Sequence, residues 1–293
     1  MSFYSLEDIV HVSSKKDIPF WRAVLLDDME DRMVTEARSV AEMEHTWEVM
    51  LSASENYDPS ARSVTGMTGG DGALFEAYAA SQSPYCAGYM AKVLVEALKM
   101  AESNACMKRI VAAPTAGSCG VLPSVLIPLW HSGEYQKEDM IAALYTAGGI
   151  GSVIAHRASI SGAAGGCQAE VGSAAAMAAG ALVSLRSDGE AIIHASAIAL
   201  KNLMGLICDS VAGFVEVPCI KRNVAGAFVA VSAADMALAG IRSRIPPDEV
   251  VDAMGSVGAE LPLKFRETAL GGLADTPTGI TIRHKLEEEG ILS

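Results

Sequence analysis

The most informative stretch of the sequence for its architecture is Gly165-Gly-Cys-Gln-Ala-Glu-Val-Gly-Ser-Ala-Ala-Ala-Met-Ala-Ala-Gly-Ala-Leu-Val-Ser184. A Gly-Gly turn is followed by a long run of small apolar residues without two-residue alternation, which favours a helix over a strand. Alanine has the highest helix propensity of all residues. The stretch therefore predicts a buried helix over 168–186 that is entered through a glycine turn.

The same succession of Gly-rich turns and apolar segments extends outward over most of the chain. Further helices are predicted at 73–82, 84–104, 118–132, 137–156, 189–206, 220–241 and 247–259. Hydrophobic residues make up 51% of the chain and aromatic residues only 5%, so the core consists of small and aliphatic side chains. We expect an all-α fold, a single compact helical domain with Gly-rich loops at the helix starts.

Residues 1–60 are the most charged part, and we expect an N-terminal helical segment that packs on the same domain, formed by residues 61–293. Ser5 is a plausible N-cap because an acid, Asp8, follows three positions later. Pro19 suits a first helical position. Apolar residues then recur at helical spacing from Phe20 to Met50, which predicts a packing face.

Charge and hydropathy exclude several classes of function. The net charge of −13 repels phosphate backbones and anionic lipid surfaces, so neither nucleic acid nor membrane is an expected partner. Residues 224–241 are nearly long enough to span a bilayer, but they are rich in small residues and include Asp235, which favours a buried helix. The N-terminus does not resemble a signal peptide, and we expect a cytoplasmic protein without a disulfide framework.

Four loops place small polar residues beside glycine at predicted helix starts, where backbone N–H groups bind carboxylates or phosphates. Capping alone explains any one of them, but four together favour an anionic small-molecule site. The candidate substrate-binding residues are Thr68, Gly69, Gly70, Asp71, Thr115, Gly117, Ser118, Ser159, Ser161 and Gly162, and the fourth loop is Gly165-Gly-Cys167.

Cysteines are the candidate metal ligands. Cys86 and Cys106 are expected to be buried small hydrophobic residues, and Cys119 is also best explained by packing. Cys167, Cys208 and Cys219 lie at predicted element ends, from which they can converge on one metal centre. Their separations of 41 and 11 positions match no compact ferredoxin-like run, so spacing alone leaves a metal site undecided.

Long motifs around these cysteines resemble those of the iron–sulfur L-serine dehydratase α subunit or domain. They are Ala158-Ser-Ile-Ser-Gly-Ala-Ala-Gly-Gly-Cys-Gln-Ala-Glu-Val-Gly172, Gly205-Leu-Ile-Cys-Asp-Ser-Val-Ala-Gly-Phe-Val-Glu-Val-Pro-Cys219, Pro114-Thr-Ala-Gly-Ser118, Thr68-Gly-Gly-Asp71 and Gly271-Gly-Leu-Ala-Asp-Thr-Pro-Thr-Gly279. The resemblance covers residues 20 to 280. It departs from the family at Ser210, where proline is usual, and at the pair His156-Arg157.

The resemblance implies that residues 61–293 form an all-helical catalytic domain with an oxygen-sensitive [4Fe–4S] cluster on Cys167, Cys208 and Cys219. It implies a lyase that converts L-serine to pyruvate and ammonia, an oligomer, and a separate β subunit that supplies a histidine base. The general base in this chain is therefore unassigned. His156 is a local candidate, although a histidine near a helix C-terminus also complements the helix dipole.

One alternative stays open at this stage, and the sequence argues against two others. A related iron–sulfur lyase acting on L-cysteine or another β-substituted amino acid would share the same chemistry. A pyridoxal-phosphate deaminase requires a Schiff-base lysine, and no lysine lies beside a Gly-rich phosphate cradle in this sequence. A non-catalytic helical scaffold would not require the two long cysteine motifs.

Overall fold

The computed structural model describes residues 3–292, and within them helices alternate with short turns and no β-strand is formed. The helices are α1 (Leu6–Lys16), α2 (Phe20–Arg32), α3 (Glu36–Glu55), α4 (Asp71–Ser81), α5 (Tyr89–Ala105), α6 (Val121–Ser132), α7 (Lys137–Arg157), α8 (Gly162–Gly165), α9 (Ser173–Ser184), α10 (Glu190–Asn202), α11 (Cys219–Leu238), α12 (Pro247–Glu260) and α13 (Pro277–Glu288). The all-α prediction is confirmed.

The central helix is α9, in which every residue from Ser173 to Val183 is buried. Helices α6, α7, α10 and α11 pack around it. Gly180 allows this close approach, because a Cβ atom there would lie 2.1 Å from Cδ1 of Ile150. The Ala-rich stretch is therefore buried as predicted, although its first turn, Gln168–Gly172, is π-helical.

The N-terminal helices share the main core. Oγ of Ser5 accepts a hydrogen bond from the N–H of Asp8 at 2.9 Å, so the predicted N-cap of α1 is confirmed. The carboxylate of Asp248, on α12, accepts a second bond from the N–H of Leu6 at 2.8 Å. Helices α2 and α3 pack against α7. The division of the chain near residue 60 stays a prediction.

Several predicted boundaries were wrong. The continuous stripe after Pro19 is interrupted at Met33, whose φ of 52° ends α2, and Pro19 is the N-cap rather than the first helical residue. Helix α5 begins at Tyr89 instead of 84, because Gly88 has a φ of +59°. Helix α13 was not predicted at all. In the first two cases a local backbone conformation overrides the hydrophobic pattern.

No helix among residues 3–292 combines the length and the apolar content that a membrane span requires. The apolar stretch 224–241 lies mostly in α11, whose small residues face the core. Those buried in α11 after its first turn are Gly226, Ala227, Ala230, Ala233, Ala234 and Ala237.

Candidate metal centre

Three cysteines from three distant segments meet in the interior. Cys167, Cys208 and Cys219 are 2%, 2% and 8% exposed. The Sγ atoms of Cys167 and Cys208 and a carboxylate oxygen of Glu170 all lie within 4.8 Å of one another. Burial raises the pKa of the Cys219 thiol to about 12, and the negative charge of Cys167 contributes to this rise. Cys219 therefore lies near Cys167.

The turn before α9 positions Cys167. Gly166 has a φ of +73°, and a Cβ atom there would lie 2.8 Å from Leu261 and 3.0 Å from the carbonyl oxygen of Leu206. The side chain of Gln168 accepts a hydrogen bond from the N–H of Gly205 at 2.7 Å, which ties this turn to the segment leading to Cys208. A glycine is therefore required immediately before the cysteine.

A single strand-like bridge positions Cys208. Its N–H donates to the carbonyl oxygen of Phe265 at 2.9 Å, and its own carbonyl oxygen accepts from the N–H of Glu267 at 3.3 Å. The predicted helix 189–206 ends at Asn202, so Cys208 lies in the connection beyond it. This connection pairs with residues 265–267 from much later in the chain.

Cys219 is the first residue of α11, where the helix dipole favours a thiolate. Asn223, one turn later, donates through its side-chain amide to the carbonyl oxygens of Cys219 at 3.0 Å and Gly117 at 2.8 Å. Its amide oxygen accepts from the N–H of Gly120 at 2.9 Å. Asn223 therefore connects one cysteine to the Thr115–Ser118 loop, a role that the sequence did not reveal.

The three thiols differ in acidity because of their contacts. A hydrogen bond from Cys208 lowers the pKa of Cys167 in spite of burial, and the nearby Arg222 guanidinium lowers it further. The same hydrogen bond raises the pKa of Cys208, and burial raises it further. The contact with the guanidinium of Arg222 therefore favours the thiolate form of Cys167.

Glu170 is a further functional candidate that sequence reasoning missed. One of its carboxylate oxygens accepts a hydrogen bond from Oγ1 of Thr115 at 2.8 Å. Burial raises the pKa of Glu170, and the negative charge of Glu267 raises it further, whereas Thr115 lowers it. A signal was present, because a residue three positions after Cys167 lies on the same face of a helix.

Two predicted substrate-binding loops lie at Glu170. A Cβ atom on Gly117 would lie 3.4 Å from its carboxylate, and one on Gly162 would lie 2.7 Å from it. Oγ1 of Thr115 is also 3.1 Å from Oγ of Ser118. The Ser159–Gly162 loop is stabilised internally by a 3.1 Å hydrogen bond from the N–H of Ser161 to Oγ of Ser159.

In the third predicted loop, Thr68–Asp71, the hydrogen-bond donors already bind carboxylates of the same chain. The N–H groups of Asp71 and Gly72 donate to the buried carboxylate of Glu102 at 2.8 Å and 3.1 Å. Oγ1 of Thr68 donates to the buried carboxylate of Glu216 at 3.2 Å. Gly69 and Gly70 have positive φ angles, and the side chain of Asp71 pairs with Lys221.

The remaining candidates lie elsewhere. His156 is exposed, with Nδ1 at 2.8 Å from the carbonyl oxygen of Ser152 and its ring 5.4 Å from that of Tyr4. Cys119 is 1% exposed and packs in the core, as expected. The prediction that Cys86 and Cys106 are buried was wrong. Both are only half-buried, because one lies in the loop before α5 and the other at the end of α5.

The sulfur donors suit an iron–sulfur cluster, which cysteine thiolates hold in proteins. Three buried thiols, one with a lowered pKa, come from separate segments next to a half-buried arginine, Arg222. The residues present therefore fit such a group.

Comparison with known proteins gives closely similar sequences. A family described as "Serine dehydratase alpha chain" matches residues 15–274. "Probable L-serine dehydratase, alpha chain" of Bacillus subtilis (strain 168) is 45% identical over 285 residues, 97% of this chain and 95% of that protein. "L-serine dehydratase, alpha chain" of Peptoniphilus asaccharolyticus is 39% identical over 97% of this chain and 98% of that protein. "L-serine dehydratase" of Mycobacterium tuberculosis is 46% identical over 61% of this chain, but over 40% of that protein.

Proposed function

We propose, from the premise that this chain belongs to the serine dehydratase alpha chain family, that it is the α subunit of an iron–sulfur L-serine dehydratase. The reaction converts L-serine to pyruvate and ammonia. The observation that supports this most directly is the grouping of Cys167, Cys208 and Glu170, with the buried Cys219 near enough for the charge of Cys167 to act on its thiol.

In the proposed enzyme these three cysteines hold a [4Fe–4S] cluster. When bound, such a cluster supplies an iron without a protein ligand, which is a Lewis acid for the hydroxyl group that leaves L-serine. The fit rests on the donor set, since three buried sulfur atoms and a neighbouring cation suit a thiolate-bound cluster.

The chain's own residues bind and orient the substrate around this centre. Thr115 fixes the carboxylate of Glu170, and Asn223 fixes the Gly117 loop against the start of α11. The absence of a side chain at Gly117 and Gly162 lets both loops approach the carboxylate of Glu170, since a Cβ atom on Gly162 would lie only 2.7 Å from it. We propose that the Thr115–Ser118 and Ser159–Gly162 loops border the substrate.

The Thr68–Asp71 loop has a different role in this proposal. The N–H groups at this helix start already bind Glu102, so in this proposal they do not bind the substrate carboxylate. Only the side chain of Asp71, which is 40% exposed and paired with Lys221, remains available to an ammonium group.

A separate β subunit completes the proposed enzyme and supplies the base. The match to the M. tuberculosis protein covers 40% of that protein, so the longer relative contains additional sequence within one chain. His156, on the exposed end of α7, contacts Tyr4 and Ser152. A base from the partner is consistent with this arrangement, and a cytoplasmic location remains part of the proposal.

The test is anaerobic reconstitution of the chain with iron and sulfide, with and without the β subunit, followed by visible absorbance, iron and sulfide analysis and a pyruvate assay. We expect four irons per chain by the cluster assignment, and turnover of L-serine that requires the partner. A colourless, iron-free protein would contradict the cluster. A cluster with turnover of L-cysteine but not L-serine would instead support the related lyase.

A further inference from the structure

One half-buried arginine contacts the segments that carry the three cysteines. Arg222 follows Cys219 by three positions on α11, and its side chain is 16% exposed. Nη1 donates to Sγ of Cys167 at 3.4 Å and to the carbonyl oxygen of Ile207 at 2.8 Å. Nη2 forms an ion pair with Oδ1 of Asp209 at 2.8 Å. Because Ile207 and Asp209 flank Cys208, one guanidinium connects the three ligand segments.

Asp209 holds this arginine from its other side. The side chain of Asp209 is 4% exposed, and Oδ2 accepts a hydrogen bond from the N–H of Leu273 at 2.9 Å. Gly272 is required there, because a Cβ atom would lie 2.4 Å from Oδ2. If Arg222 rotated away, it would leave a buried carboxylate unpaired, which is strongly unfavourable. The guanidinium is therefore fixed against the sulfur of Cys167.

We propose that Arg222 is a positioning residue that raises the reduction potential of the iron–sulfur cluster through its N–H contact with Cys167 and its fixed positive charge. This inference rests on the proposed function. Hydrogen bonds to ligand sulfur atoms and local charge set the potentials of such clusters. A buried cation next to a ligand sulfur stabilises the form that carries one more electron. Arg222 acts through Cys167 rather than on the substrate.

The experiment compares Arg222→Gln, Arg222→Lys and the wild-type chain after anaerobic reconstitution. Iron and sulfide content are measured first, and the one-electron potential is then obtained by redox titration followed by electron paramagnetic resonance. The matched control is Arg242→Gln, since Arg242 is 63% exposed and pairs with Glu190 on the surface. The Arg242→Gln variant removes the same charge at an exposed position outside the cysteine motifs.

Arg222→Gln is expected to shift the ratio of reduced to oxidised cluster about tenfold towards the oxidised form, which is a potential lower by about 59 mV. Arg222→Lys is expected to lie between this variant and wild type, because an ammonium group keeps the charge but cannot form the planar fork. Arg242→Gln is expected to match wild type.

An unchanged potential in Arg222→Gln overturns the inference. If Arg222→Gln takes up no cluster, the test is made on Arg222→Lys. A reduction potential of Arg222→Lys equal to that of wild type then overturns the inference. If neither variant binds a cluster while both keep native circular dichroism, Arg222 serves assembly and its role in the potential is rejected. A wild-type chain that binds no cluster would contradict the proposed function itself. This outcome is distinct from an unchanged potential in the variants, which contradicts only the role of Arg222.

Discussion

Two loops of similar composition begin helical segments in this molecule, but their polar groups have different partners. At Thr68–Asp71 the N–H groups at the start of α4 bind Glu102, which is 1% exposed, so the chain supplies its own anion. At Thr115–Ser118 the loop borders Glu170 and, through Asn223, the start of α11. A glycine loop at a helix start therefore indicates an anion partner. It does not distinguish a carboxylate of the same chain from a bound ligand.

The buried carboxylates at these two loops also differ in their hydrogen-bond partners. Glu102 and Glu216 each accept hydrogen bonds from several groups, so their charge is satisfied within the fold. Glu170 has Thr115 as a donor, lies near two sulfur atoms and is affected by the charge of Glu267. The first two carboxylates hold loops in place, whereas the third faces the candidate centre.

The largest effect is expected at the cysteines. Each of Cys167→Ser, Cys208→Ser and Cys219→Ser should abolish activity and most cluster absorbance, because a hydroxyl group is a poor iron ligand compared with a thiolate. Absorbance, iron content and pyruvate formation check this. Cys86→Ser is the control, since Cys86 lies half-buried in the loop before α5. Full activity in any of the first three variants would reject the ligand assignment.

The next largest effect is expected at Glu170. Glu170→Gln should lower kcat by about 100-fold, the usual scale for loss of a positioned carboxyl group, while iron content stays near that of wild type. Steady-state kinetics on reconstituted enzyme measure it. Glu76→Gln, on the exposed side of α4, is the matched control. Wild-type kcat in Glu170→Gln would make this carboxylate a structural anion like Glu102.

Residue patterns predicted most of the longer helices, because alanine-rich and apolar segments between glycine turns dominate the sequence. The pattern around Thr276 and Pro277 also contained the information for α13, since an N-cap threonine accepts from Gly279 and proline occupies the first turn. That segment was missed because its composition is mostly polar. Local signals of this kind act over a few residues and can be read directly.

The partners of the loops were not predictable in the same way. Glu102 lies at least 30 positions along the chain from the residues whose N–H groups donate hydrogen bonds to it. Glu216 lies 148 positions along the chain from Thr68. Nothing in either local sequence marks these contacts, because they depend on how α4, α5 and the segment before α11 pack. The resemblance to a family brought the three cysteines together, whereas spacing alone did not.

A smaller effect, on stability, is expected at Glu102. Glu102→Gln should lower the free energy of unfolding by about 1–3 kcal/mol, because it weakens a buried, charge-assisted acceptor for two backbone donors. Thermal denaturation of the reconstituted protein measures the change, and Glu76→Gln serves again as the exposed control. Cluster content should stay unchanged. A loss of cluster together with unchanged stability would mean that the α4 loop belongs to the site after all.

The smallest effect is expected at Tyr57, whose hydroxyl donates to Glu102 at 2.5 Å. Tyr57→Phe should cost about 1 kcal/mol, because Glu102 keeps its two backbone donors. Tyr78→Phe, on the exposed face of α4, should change stability by less than about 0.5 kcal/mol. Since Tyr57 and Glu102 share one network, the double variant should lose less than the sum of the two single losses. Strict additivity would show that the backbone N–H groups alone hold Glu102, so that the helix start, and not the tyrosine, makes this carboxylate an internal anion.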